Sequence, residues 1–227
     1  MAGDGFTWVP LESNPDVLNE FMGKLGVSKE WKVHDVLGLD DELLAMLPKE
    51  IAGMILLFPL TSSAGQRLGG DTEAEYKEAE GVFFMKQTIQ NACGTIALLH
   101  VIGNNRDKIQ LSPGSPLAEF FNKTSGQSSE ECGKVLESTG TISEAHAASA
   151  SEGQTAVPTE PVIHHFISFV NNDGNLYELD GRKMGPIPHC PTSKETFVKD
   201  AAKVCQKIIA TDPNEQRFSV IAIGKDA

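Results

Sequence analysis

Four cysteines occur in the chain, Cys93, Cys132, Cys190 and Cys205, and none stands in a C-x-x-C pair. That spacing argues against a zinc site or a dithiol redox motif, and in a reducing compartment the thiols are expected to be free. Long apolar runs are also missing. The longest, residues 51–60 (IAGMILLFPL), falls well short of the roughly 20 residues that a membrane span requires, and Pro59 interrupts it. Basic residues are scarce, with 19 Lys and Arg against 31 Asp and Glu and a formal net charge of −12. Such a balance argues against nonspecific nucleic-acid binding and favours a basic partner. The opening residues carry no basic segment followed by an apolar one, so no secretory signal is visible, and a cytoplasmic or nuclear location is expected. No internal repeat is found. The 227 residues suit one domain, 1–227, with a substantial core.

Reading along the chain, Asn14 caps an expected helix that holds Pro15 in its first turn and Val17, Leu18, Phe21, Met22 and Leu25 on one stripe. Strands are expected at 31–37, 51–58 and 82–85, with a short helix after Asp40. The polar segment 61–80 reads as a loop with a turn at 67–70 and a short helix at 73–80. Ser115-Pro116 opens another helix, and a further one starts near Ser129. Residues 138–161 are rich in Ser, Thr, Ala and Glu and show no apolar period, so they are expected to form a long loop crossing near the functional site. A strand over 162–170 and its partner over 175–180 flank the turn signal Asn171-Asn172-Asp173-Gly174. Pro188-His189-Cys190 reads as a turn. A helix from Ser193, with Thr192 and Glu195 as a capping box, precedes a last strand at 218–223.

The chemistry centres on residues 87–100, QTIQNACGTIALLH. Cys93 opens a helix that is apolar around most of its circumference and is therefore buried. The dipole and the unpaired N–H groups of a first turn favour an anion beside them. Gln87, six residues upstream, offers a neutral amide donor suited to an oxyanion. At this level Cys93 could equally be a small buried residue. A cysteine nucleophile needs a base, and the base needs a group to hold its tautomer. If the hairpin loop has an even number of residues, His165 shares a face with Asp180 and His164 points to the other; an odd loop reverses the choice. Cys93, Gln87, His165 and Asp180 together supply every role that acyl transfer needs.

The segments FMKQTIQNACGTIALLH, EGQT and HFISFVNNDGNLYELDGRK resemble those of the ubiquitin carboxyl-terminal hydrolases, a family of cysteine proteases, and the similarity extends over nearly the whole chain. The resemblance implies an α+β, papain-like fold, with a mostly antiparallel central sheet between helical layers and a knotted backbone. It implies Cys93 as nucleophile, His165 as general base and acid, Asp180 as the orienting carboxylate and Gln87 as oxyanion donor. It further implies that ubiquitin is gripped by three segments, Pro10-Leu11-Glu12-Ser13-Asn14-Pro15, Ala150-Ser151-Glu152-Gly153-Gln154-Thr155-Ala156-Val157 and Glu215-Gln216-Arg217-Phe218-Ser219-Val220. No metal or cofactor is called for. The expected activity is hydrolysis of small or unfolded adducts from the C-terminal glycine of ubiquitin, with NEDD8 as a second modifier, by a monomer that binds neither nucleic acid nor membrane. Rival readings are another Cys-His-Asp acyltransferase and a catalytically silent ubiquitin-binding module of the same fold.

Overall fold

The computed structural model describes residues 6–60, 79, 81–154 and 162–226. The expected turn at 67–70 and, residue 79 apart, the expected helix at 73–80 lie outside these residues. Among the described residues, six strands form one antiparallel sheet in the order β1-β6-β2-β3-β4-β5. The strands are β1 Trp31–Asp35, β2 Glu50–Pro59, β3 His164–Asn172, β4 Asn175–Leu179, β5 Ile187–Pro191 and β6 Ser219–Lys225. The helices are α1 Pro15–Lys24, α2 Asp41–Leu44, α3 Cys93–Gly103, α4 Pro116–Lys123, α5 Ser129–Ser138, α6 Gly140–Ala150 and α7 Phe197–Ile209.

Alternation along β2 explains the layering. Ala52 and Ile55 join a core that also holds Leu18, Phe21, Ile96, Leu99, Phe120 and Ile142 from α1, α3, α4 and α6. Met54, Leu56 and Phe58 face the opposite way and pack with Phe197, Ala201, Cys205 and Ile208 of α7. The sheet thus lies between two helical layers. Each large apolar side chain taken from water here contributes roughly 1.5–3 kcal/mol before the entropy of ordering is charged against it. Helix α3 is buried from Gly94 through Ile102, as its apolar circumference requires. It crosses β2 closely at Gly53, where a Cβ would stand 2.6 Å from Val101 Cγ1, beside a register shift between Ile51 and Gly53.

Local signals act as their chemistry dictates. Asn14 Oδ1 accepts from Asp16 N–H at 2.9 Å, and Asp40 Oδ1 accepts from Glu42 and Leu43. Ser115 caps α4, and Ser128 with Glu131 forms a reciprocal capping box on α5 that the sequence reading missed. Asp173 and Gly174 form a two-residue turn with φ of 48° and 74°, the left-handed pair that matches the twist of a hairpin.

Several expectations are corrected. Residues 138–150 are not a loop: α5 runs to Ser138 and α6 covers Gly140–Ala150. The buried stripe of α6 is Ile142, His146 and Ser149, so its period is carried by a polar and a small residue and leaves little hydrophobic signal, while its alanines favour a helix. Residues 82–85 are not a strand; their polar groups are met by α3, with Phe83 N–H donating to Asn104 Oδ1 and Met85 N–H to His100 Nε2. Pro188-His189-Cys190 lies within β5 rather than in a turn. Helix α7 starts at Phe197, and the expected Thr192–Glu195 box is replaced by Ser193 Oγ, which accepts from Glu195 N–H and Thr196 N–H.

Candidate active site

Asn91 holds a left-handed conformation, φ 64°, which asparagine tolerates, and this turn delivers the chain into α3 with Cys93 as its first residue. Ala92 at the N-cap supplies no side-chain hydrogen bond, so the first-turn N–H groups are uncapped from that side. Cys93 is half-buried and lines a cleft of about 240 Å³. Val9, Pro10, Leu11, Glu12 and Ser13 form one wall, Ala150 and Gly153 another, and Leu57, Val162, His164 and Phe166 close it from the sheet.

The two-residue turn decides the histidine. Ser168 pairs with Leu179, and extending that register by one step sets Asp180 opposite Ile167 and diagonal to His165. His165 Nε2–H donates to Asp180 Oδ1 at 2.7 Å, both residues being buried. Asp180 Oδ1 also accepts from Arg182 N–H at 2.9 Å, which fixes the carboxylate. The Cys93 side chain acts on the same imidazole and raises it, and with Nε2 given to Asp180 the nitrogen left for sulfur is Nδ1. Burial opposes charge on His165, yet the hydrogen bonds of Asp180 and Cys93 and their charges outweigh it and push the imidazole up to about 9. His164, across β3, also reaches the cleft. Its environment is the reverse: burial, then the Arg217 guanidinium, hold it below the ordinary imidazole range, with Glu215 offsetting only part.

Gln87 is docked on the turn that follows Asp180. Its N–H donates to Gly181 O at 2.8 Å, and a Cβ at Gly181 would stand 3.1 Å from Gln87 N and 3.0 Å from Ile96 Cγ2, so only glycine fits without displacing the Gln87 arm. One Nε2–H donates to Ile89 O at 3.1 Å, while Oε1 is buried without a hydrogen-bond partner. That bond orients the amide and leaves its second N–H unassigned.

A family model described as ubiquitin carboxyl-terminal hydrolase, family 1, matches residues 8–210. The chain belongs to that family. It is 49% identical over 222 residues to a Drosophila melanogaster ubiquitin carboxyl-terminal hydrolase, covering 96% of this chain and 97% of the relative. It is 44% identical over 221 residues to human ubiquitin carboxyl-terminal hydrolase isozyme L1, covering 96% and 98%. Among solved structures, the Trichinella spiralis UCH37 catalytic domain bound to ubiquitin vinyl methyl ester matches with a TM-score of 0.77 at 26% identity over 96% of each chain. These likenesses agree with the α+β, papain-like architecture described above.

In this family member the predicted residues Cys93, His165 and Asp180 converge, and Gln87 adjoins them through Gly181. Of the three expected ubiquitin-gripping segments, residues 10–13, Ala150 and Gly153 line the cleft itself. Glu215, Gln216, Phe218, Ser219 and Val220 line a separate groove with Val36, Leu37 and Leu39. Arg217 turns its guanidinium onto Glu215, whose carboxylate that contact holds down near 2. Asn14 and Pro15 are the cap and first residue of α1, Ser151 and Glu152 follow α6, and Gln154 closes that described stretch. Thr155, Ala156 and Val157 lie outside the described residues. Sequence reasoning missed Trp8, Asn91 and His146. Trp8 N–H donates to Gln90 O and its carbonyl accepts from Asn91 Nδ2, a backbone splint with no side-chain pattern to betray it.

Proposed function

We propose that this chain is one catalytic domain that releases small or unfolded adducts from the C-terminal glycine of ubiquitin through a thioester on Cys93. The observation that carries this is the convergence of the thiol, His165 and Asp180 beside a cleft of about 240 Å³ that Cys93 lines. Family membership supplies the substrate class, and the relative captured with ubiquitin vinyl methyl ester supports ubiquitin as the partner.

The mechanism follows from the placement of protons. His165, held by Asp180, takes the thiol proton at Nδ1, and Cys93 sulfur attacks the terminal glycine carbonyl. Negative charge develops on that oxygen, toward the second N–H of Gln87 and the uncapped N–H of Cys93. The imidazolium protonates the departing amine as the C–N bond breaks. Water, deprotonated by the same imidazole, then attacks the thioester, and the thiol leaves with the proton returned. The acidic chain steers the arginine-bearing tail of ubiquitin. Action as a monomer and acceptance of NEDD8 belong to the same proposal.

Turnover of a fluorogenic ubiquitin amide tests it. The native chain should release the fluorophore and Cys93→Ala should not, while a ubiquitin-binding module would show affinity without rate. Retention of full turnover by Cys93→Ala would overturn the assignment.

A further inference from the structure

Resting on that reading, we propose that His146 is a positioning residue that sets the width of the cleft in which the ubiquitin tail lies, and so governs substrate affinity rather than the chemical step. His146 sits on α6 and is 1% exposed. Its Nε2–H donates to Val9 O at 2.6 Å and its Nδ1 accepts from Thr95 Oγ1 at 2.8 Å. Trp8 lies against the ring at 4.4 Å between centroids and Phe21 meets it edge-on at 5.9 Å. One imidazole therefore joins three elements. Val9 begins the wall formed by residues 9–13, Thr95 is the second residue after the nucleophile, and α6 leads directly to Ala150 and Gly153 on the other wall.

The tautomer is fixed by its partners. A carbonyl at Nε2 needs a donor there, so Nδ1 is the acceptor and the hydroxyl of Thr95 supplies the hydrogen. Burial holds the ring neutral by pushing it down to about 4, with the Val9 carbonyl pulling weakly the other way, so both bonds persist at neutral pH. The two walls adjoin at Gly153, where a Cβ would stand 2.7 Å from Glu12 Oε2. Val9 itself lines the cleft, so a shift of Val9 alters the channel directly. The Cys93–His165–Asp180 array has no member in contact with His146 among the hydrogen bonds described.

Three variants separate affinity from chemistry. His146→Leu puts a buried apolar side chain in place of the ring and loses both bonds, Thr95→Val loses one, and His146→Gln retains a donor and an acceptor. KM for a ubiquitin amide should rise about tenfold in His146→Leu, where both bonds go, and about threefold in Thr95→Val, but less than about twofold in His146→Gln. The kcat, and the rate at which iodoacetamide alkylates Cys93, should stay within about twofold of the native chain. Should His146→Leu fail to fold, Thr95→Val decides. Unchanged KM in Thr95→Val and His146→Leu, or a parallel loss of kcat and alkylation rate, would overturn the role of His146. Absence of turnover in the native chain would instead sink the functional reading beneath it.

Discussion

His165 and Asp180 meet across the end of a hairpin, not within it: the described ladder stops at Ser168 and Leu179, and the 2.7 Å bond is made one step beyond. Arg182 N–H holds the same carboxylate oxygen from the following turn, so the orienting group is fixed by its own backbone. Asp180→Asn keeps the shape and removes the charge. The His165 imidazole, near 9 in the native chain, should then titrate lower, and kcat should fall on the order of 100-fold. An NMR titration of His165 with parallel kinetics checks this; an unmoved titration would show that Asp180 does not support the charge.

His164 and His165 should behave differently on truncation. His165→Ala should lower kcat on the order of 1000-fold or more, because the acceptor for the thiol proton is gone. His164→Ala should leave kcat within a few-fold and act on KM, since His164 lines the cleft beside Phe166 and is held neutral by burial and Arg217. Steady-state kinetics of the two variants decide it, and inactivation by His164→Ala alone would reverse the register argument.

Stability should peak close to pH 6.5. His100 and His146 are held down to about 4 by burial, against an ordinary value of 6.5, so the unfolded chain binds protons before the folded one as pH falls. Their contribution is present above pH 6.5 and is lost between 6.5 and 4, up to about 3 kcal/mol for each ring. His165 is raised to about 9, so its contribution is present below pH 6.5 and lost as pH climbs from 6.5 to 9. Denaturant unfolding across pH 4–9 should show both limbs, and His146→Gln should make the acid limb shallower. An unchanged acid limb in that variant would remove His146 from the account.

Most of the reactive array was legible because it obeys short-range rules. The helix opened by Cys93 is read directly, whereas the choice of His165 depended on an even loop, which the two-residue Asp173-Gly174 turn supplies. The arms that hold the array were not legible. Gly181 acts through backbone placement, Asn91 through its left-handed backbone and its Nδ2 bond to Trp8 O, and His146 through contacts with residues more than 50 positions away in sequence. Helix α6 was misread because period detection relies on large apolar residues, whereas its stripe is Ile142, His146 and Ser149. The segment 82–85 was misread because Met85 is buried and Val82, Phe83 and Phe84 pack partly buried on the core, while its polar groups are met by Asn104 and His100 side chains, a pairing that composition does not encode.

Strand β6, the last of the described strands in chain order, is inserted between β1 and β2. Until it arrives, two facing rows of amide and carbonyl groups stand open in the middle of the sheet. A folding chain in which β6 has not yet docked is therefore the most exposed to mispairing, and the sheet behind the catalytic cleft is complete only when that strand, the farthest from Cys93 in sequence among those described, has been threaded home.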